Sequence, residues 1–380
     1  MSETLSTSES LPPTPALLSP TPQPTSESVT IDAIDAGWLS AALQVPVRDV
    51  EVAPVAVGEG FMSELARVAI DYDDAVSQSR LPPSVVAKTP SREPGSVALG
   101  QLLRLWEREA RFYLDVAPRL PVRTPQCYYA GGNEQSGLWS LLLEDLGELQ
   151  IGDQVAGATQ QQAETAVDWL ARFHGQAANE PALQQLPWLP DVATDPMYQG
   201  LQPMLEAVWP AFVEKFGECC PEGTLPVIER CTSQLSRLLA EKPMAPTVIH
   251  ADYRLDNLFF GSDGELVPID WQAPAQGQGL YDLAYFMGGC LDIEDRRRLE
   301  RDLLQRWSEG VQRAGGTTLP PDELWQEYRR MVLIVMTIQA LLMGQLDLTV
   351  NERAVQLSRR TTERMYTAGA DLEVGSLVDR

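Results

Sequence analysis

The chain has little basic nitrogen. Of 380 residues only three are lysines, Lys88, Lys215 and Lys242, and only two are histidines, His174 and His250. Two histidines exclude a histidine-rich metal site. Arginine and lysine together number 29 against 53 acidic residues, a formal net charge of −24. A chain this acidic is a poor partner for nucleic acid or an anionic membrane, because phosphate surfaces demand a basic face. It is compatible with a cationic or neutral small substrate. Cysteine is scarce: Cys127, Cys219, Cys220, Cys231 and Cys290 are odd in number and match no zinc or disulfide spacing. They are read as reduced thiols of a cytoplasmic protein, with a redox pair at Cys219-Cys220 as the alternative to two ordinary thiols. Long apolar runs are missing too. The greasiest stretch, Met331 to Met343, is interrupted by Thr337 and Gln339 and falls short of the ~20 residues a bilayer needs. The N-terminus has neither a basic nor an apolar leader segment, so no signal peptide is expected.

What is present suffices for a large core. Apolar residues make up 44% of the chain, an ordinary globular share, and the length allows two lobes. Residues 1–28 are mostly Ser, Thr, Pro and Glu, cannot bury enough surface to offset ordering, and read as a disordered tail. A helix follows over Ile31 to Leu43. Strand-like runs come next, at Val50, around Val55 and from Leu65 to Ile70, with Gly58-Glu59-Gly60-Phe61-Met62-Ser63 between the last two. Pro83 to Pro90 is a strand carrying Lys88. Leu102 to Ala117 has the spacing of one helix. Cys127 to Ala130 and Leu138 to Leu143 read as strands around a turn at Gly131-Gly132-Asn133. Thereafter the pattern is mainly helical. Thr159 is an N-cap for a helix to Ala178. Further helices cover about Tyr198–Glu218, Pro226–Lys242, Ile293–Ala314, Pro321–Leu346 and Asn351–Ala370. The arginines of the last three are expected mainly on outer faces. Trp188, Tyr198, Trp209 and Phe212 read as helix-packing core, with an aromatic substrate lining as the alternative.

The stretch from Val248 to Gln272 carries the chemistry. It contains His250-Ala251-Asp252, Asn257 five positions after that aspartate, and Ile269-Asp270-Trp271. Two short apolar runs flank Gly261-Ser262-Asp263-Gly264 and read as a hairpin, which brings Asp252, Asn257 and Asp270 to one end. Phosphoryl transfer needs such a set: a carboxylate to take the proton of an attacking hydroxyl, and an amide oxygen and second carboxylate to hold magnesium.

These motifs resemble the catalytic loop and metal-binding motif of the aminoglycoside phosphotransferase and choline kinase family, and Gln272 leans toward its ecdysteroid-kinase-like branch. The resemblance spans roughly residues 50 to 345. It implies an α+β, two-lobed protein-kinase-like fold: a small β-rich N-lobe, residues 29–146, and a larger, mainly helical C-lobe, residues 147–380. It implies ATP and Mg2+ as cofactors and a small-molecule alcohol as acceptor. Asp252 corresponds to the catalytic base, and Asn257 and Asp270 to the metal ligands. Lys88 corresponds to the lysine on the α- and β-phosphates, and Glu109 to its glutamate partner, with Glu107 as competitor. Gly58 and Gly60 correspond to the loop over the phosphates, beside which Ser63 can add a hydroxyl. The stretch from Glu144 to Leu146 resembles the hinge whose backbone binds adenine. Asp282, in Asp282-Leu283-Ala284, corresponds to the brace of the catalytic loop, a helix N-cap being compatible with that. His174 is read as packing rather than catalytic.

One departure is Ala251, where the family usually has glycine; the methyl makes the loop stiffer. Asp256 competes with Asp252 as base or metal ligand. The chain has no recognisable activation segment of a protein-substrate kinase. Three readings compete: a kinase of a metabolite or steroid-like alcohol, a kinase of an aminoglycoside or macrolide antibiotic, and a silent nucleotide-binding module.

Overall fold

The computed structural model describes residues 28–55, 62–73, 81–241, 244–349 and 351–378. The tail through residue 27 and the Gly58–Gly60 loop lie outside the described residues. The first half is built on a five-stranded antiparallel sheet: β1 (Val47–Val55), β2 (Ser63–Tyr72), β3 (Ser84–Pro90), β4 (Cys127–Asn133) and β5 (Leu138–Glu144), in the order β1-β2-β3-β5-β4. Helix α1 (Ala36–Leu43) covers one face, starting at Asp35, whose carboxylate accepts from the Trp38 N–H at 2.7 Å. The strands alternate as half-buried strands should: Ala66, Val68, Val85, Ala87 and Leu142 point into a core shared with Leu39 and Leu43.

Between β3 and β4 the single expected helix is two. Helix α2 (Pro94–Leu102) opens with Pro94 at its first turn and Glu93 accepting from the Ser96 N–H at 2.6 Å. Arg104 then takes a left-handed φ of +54°, and α3 (Leu105–Arg111) sets off in a new direction, running into a π-helical turn at Phe112–Val116. Leu102 is consequently exposed while Trp106, Glu109 and Phe112 are buried. The Gly131-Gly132-Asn133 turn is also corrected. Both glycines are strand residues, since a Cβ on Gly132 would sit 2.6 Å from Trp139 Cα. The turn comes after them, where Asn133 Oδ1 accepts from the Gln135 N–H at 2.8 Å.

The second half holds five short strands in two small sheets and is otherwise mainly a set of helices. These are α4 (Gln160–Ala178), α5 (Pro196–Gln199), α6 (Leu201–Phe216), α7 (Thr224–Thr232), α8 (Leu235–Leu239), α9 (Leu280–Cys290), α10 (Ile293–Arg313), α11 (Pro321–Gly344) and α12 (Glu352–Asp371). Strand β6 (Gln150–Ile151) pairs with the hairpin β8 (Leu258–Phe260) and β9 (Leu266–Pro268), while β7 (Pro246–Ile249) pairs with β10 (Ala275–Gln278). Helix α11, the stretch that cannot span a bilayer, is buried along most of its length by Met331, Val332, Leu333, Val335 and Met336. No helix among the described residues is long and apolar enough to cross a membrane.

Two arginines expected on outer faces are inside. Arg296 is 1% exposed and pairs with Glu300 at 2.8 Å and with Asp371. Arg364 is 3% exposed and donates to the Gln154 carbonyl at 2.6 Å. Both tie α12 back to the rest of the domain, and Arg364 secures the segment beside the hairpin.

Thiol chemistry at Cys219-Cys220 is disfavoured. All five cysteines are free, and burial pushes the Cys220 thiol up to about 12 and raises Cys219.

Helix α4 carries a full capping box: Thr159 Oγ1 accepts from the Gln162 N–H at 3.2 Å, and Gln162 Oε1 accepts from the Thr159 N–H at 3.0 Å. Thr159→Ala is expected to lower unfolding stability by about 1 kcal/mol, read from the urea midpoint at unchanged slope. No change in midpoint would mean that the box contributes nothing.

Candidate active site

The site forms where three pieces far apart in sequence meet: the middle of β3, helix α3 and the end of the β8–β9 hairpin. The hairpin ladder is extended by the Ile269 N–H, which donates to the Asn257 carbonyl at 2.9 Å. This places the residue after Ile269, Asp270, next to Asn257. Asp270 itself has φ +65°, a left-handed conformation that aspartate tolerates better than most residues.

Lys88 is the hub. Its ammonium lies 2.8 Å from Glu109 Oε1, 2.7 Å from Glu109 Oε2 and 2.6 Å from Asp270 Oδ1. Glu109 is 1% exposed, Lys88 8%. Burial alone would lower the lysine pKa, but the two carboxylates prevail and raise it. Burial also pushes Asp270 up, and the Lys88 charge more than reverses that, so Asp270 stays below the ordinary carboxylate range. Glu109 is raised, chiefly by burial. Glu107 pairs instead with Arg104 at 2.8 Å and Arg111 at 2.9 Å, so of the two glutamates it is Glu109 that meets the lysine. Ser63 Oγ accepts from Trp106 Nε1 and from Gln272 Nε2, both at 3.0 Å, which ties β2 to α3 and to the residue after Asp270-Trp271.

The loop before the hairpin hangs on one buried carboxylate. Asp282, wholly buried on α9, accepts from the His250 N–H at 2.7 Å and the Ala251 N–H at 2.8 Å. It is not an N-cap: α9 begins after Gly279. His174 Nε2 lies 3.2 Å from Asp282, and the Trp307 indole donates to His174 Nδ1 at 3.1 Å. An indole only donates, so Nδ1 is the acceptor and Nε2 carries the proton that faces Asp282. The same logic fixes His250: the Asp252 N–H donates to Nδ1 at 3.3 Å, and Nε2 donates to the Ile269 carbonyl at 3.0 Å. Beneath it Trp271 stacks on Phe112 with ring centroids 3.8 Å apart.

Asp252 is about a third exposed. Its Oδ1 accepts from the Tyr285 phenol at 3.0 Å, and its Oδ2 from Asn257 Nδ2 at 3.0 Å and Arg254 Nε at 3.3 Å. Burial, then the Asp252 charge, pushes the Tyr285 phenol well above its usual range, so it remains a donor. Asp256 faces elsewhere: it accepts from the Gln154 N–H at 2.8 Å, and pairs with Arg353 and Arg254 at 3.2 Å each. Tyr285 and Arg254 are not evident from sequence alone, although Tyr285 lies three residues, one helical turn, after Asp282. Glu144, at the end of β5, binds Arg123 at 2.5 Å and accepts from the Gln126 N–H at 2.9 Å. Leu146 is buried and its carbonyl accepts from the Leu149 N–H at 2.9 Å. Gly58 and Gly60 lie outside the described residues. No cluster of three or more His, Cys, Asp or Glu side chains fit for a metal occurs among the described residues.

Against Ala251 lies a cavity of about 210 Å³. Its walls come from Leu201, Leu238, Met331, Ile334 and Ile338 among others, so most of its surface is apolar. Ala251 has φ +66°, where a Cβ costs about 1–2 kcal/mol, more than the roughly 0.5–1 kcal/mol of backbone entropy that glycine loses on folding. Ala251→Gly is therefore expected to stabilise the fold by up to about 1 kcal/mol, measured by chemical denaturation. Destabilisation would mean that the methyl packs usefully against the cavity.

Residues 57–314 match the model of the ecdysteroid kinase-like family. Comparison with curated protein sequences returns no match. Among solved structures, a macrolide 2'-phosphotransferase type I is 15% identical, with 89% of this chain and 99% of that one covered at a TM-score of 0.50. A candidate aminoglycoside phosphotransferase of Ralstonia eutropha is 14% identical, with 90% and 97% covered at a TM-score of 0.51. At these identities the likeness speaks to the fold, a two-lobed protein-kinase-like one. The family match takes in the sheet from β2 onward, the Lys88 hub, the hairpin and Asp282. The chain belongs to the ecdysteroid kinase-like family and is a kinase of small molecules.

Proposed function

We propose that the chain transfers the γ-phosphate of ATP to a hydroxyl of a small molecule, with Asp252 as the base. The reading is carried by the Lys88 ammonium held between Glu109 and Asp270. The two carboxylates fix the position of the ammonium, a compact point charge suited to a phosphate oxygen. We set the boundary between the nucleotide-binding lobe and the catalytic lobe at residues 146 and 147. The backbone near Glu144 and Leu146 would meet adenine there, and Ser63 and the Gly58–Gly60 loop would cover the phosphates.

The donor set suits magnesium. Asn257 spends its Nδ2 on Asp252, which turns its amide oxygen to other use, and Asp270 stays anionic. One carboxylate and one amide are what a magnesium site needs when phosphates and water supply the remainder. When bound, the ion neutralises charge on the transferring phosphoryl group. Tyr285, Asn257 and Arg254 hold the Asp252 carboxylate in place. The acceptor hydroxyl would displace the Tyr285 phenol from Oδ1 and give its proton to Asp252 as its oxygen bonds to the γ-phosphorus. The bond from that phosphorus to the β–γ bridging oxygen breaks, and the electron pair leaves with ADP.

The cavity favours a largely apolar alcohol over a polycationic aminoglycoside. Its one lining carboxylate, Glu241, is already paired with Arg330 at 3.1 Å. A macrolide remains the second reading on the apolar lining. A silent nucleotide-binding module is disfavoured by the intact Lys88, Asp252, Asn257 and Asp270.

The test is turnover of pooled hydroxylated metabolites, steroids, macrolides and aminoglycosides with Mg-ATP, read as ADP release and gain of one phosphoryl mass. Asp252→Asn is expected to lower turnover at least ~100-fold, and Asp256→Asn to lower it far less. Near-normal turnover in Asp252→Asn with loss in Asp256→Asn would reverse the assignment.

A further inference from the structure

Helix α3 presents two neighbouring charges to two different places. Glu109 meets Lys88, and Arg108, about a hundred degrees around the helix, lines the apolar cavity beside Ala251. Arg108 is only 4% exposed. One of its N–H groups donates to the Pro274 carbonyl at 2.5 Å, the guanidinium also donates to the Tyr198 phenol oxygen on the cavity wall, and its Nε is buried with no partner. Among the described residues it forms no ion pair with a carboxylate. The contrast with the cavity's other arginine is direct: Arg330 is held by Glu327 at 2.6 Å and Glu241 at 3.1 Å. A buried guanidinium without a counter-ion is costly, and the fork of N–H groups it offers fits a carboxylate. Across the same cavity Gln278 is 5% exposed, donates to Glu327 at 3.4 Å and leaves its Oε1 buried without a donor. The remaining wall is hydrocarbon from Leu201, Leu238, Leu239, Ile334 and Ile338.

We propose that the acceptor is a hydroxylated carboxylic acid with an apolar skeleton, its carboxylate paired with Arg108 and its hydroxyl presented past Ala251 to Asp252. This rests on reading the cavity as the acceptor site. Gln278 Oε1 accepts from any second hydroxyl or amide N–H of such a ligand. Arg108 is a specificity residue here; the phosphates belong to Lys88.

The test uses the intact chain, calorimetry and a non-hydrolysable ATP analogue. The probes are ω-hydroxylaurate, hydroxymethylbenzoate and hydroxymethylcyclohexanecarboxylate, each beside its methyl ester. At least one acid is expected to bind roughly 10- to 100-fold more tightly than its ester. In Arg108→Met that preference disappears, and in Arg108→Lys part of it returns; affinity for the ATP analogue reports whether each variant is folded. In turnover the Arg108→Met defect falls on KM for the acid, with kcat little changed. Esters that bind as well as acids, or binding of none of the probes, overturn the proposal, and so does an Arg108→Met defect in kcat with every acceptor, which would put the guanidinium on the phosphoryl group. Selective binding of the acids without any ADP release would leave the Arg108 site standing and remove the phosphotransferase reading instead.

Discussion

The structure depends on one cation. Lys88 sits in the middle of the sheet, is nearly buried, and is held by Glu109 from α3 and Asp270 from the hairpin, 21 and 182 positions away in sequence. A buried ammonium is tolerated only when paired, and here each partner comes from a different element. The ion cluster therefore fixes how the sheet, the helix and the hairpin sit against one another. The sequence spends one of its three lysines on it.

A second carboxylate does for the loop what Lys88 does for the lobes. Asp282 takes two successive backbone N–H groups, from His250 and Ala251, and is itself oriented by His174 and Trp307. Three donors satisfy this wholly buried carboxylate. That grip explains how Ala251 stays at a positive φ that costs a non-glycine residue energy. The strain lies directly before Asp252, at the mouth of the apolar cavity. The path from packing to chemistry is short: Trp307 orients His174, His174 faces Asp282, and Asp282 pins the backbone that presents Asp252.

Much of this was legible in the residues, because chemistry-bearing side chains at fixed spacing leave little freedom. The His250 to Asn257 loop, the hairpin and Asp270 follow from local pattern, and so do the long C-terminal helices and the Thr159 cap. What was not legible depends on contacts between distant segments. The break at Arg104 is invisible to periodicity, because the apolar positions of the two helices continue in phase across it. Gly131 and Gly132 look like a turn, yet they are glycines because Tyr129 and Trp139 leave no room for a Cβ. Arg296 and Arg364 have the composition of a solvated face, and only the fold shows that they are buried, Arg296 reaching Asp371 and Arg364 the Gln154 carbonyl. Tyr285, Arg254 and Arg108 belong to no short motif. Each is positioned by an element whose placement is set elsewhere.

The central claim is that the Lys88 cluster is a nucleotide phosphate site, and calorimetric titration of Mg-ATP into the intact chain and into Lys88→Met tests it most directly. Circular dichroism would confirm that the variant is folded. Loss of one charge-assisted contact is expected to weaken nucleotide binding roughly 10- to 100-fold. Equal affinity in the two folded proteins, or no binding by the unaltered chain, would contradict the account.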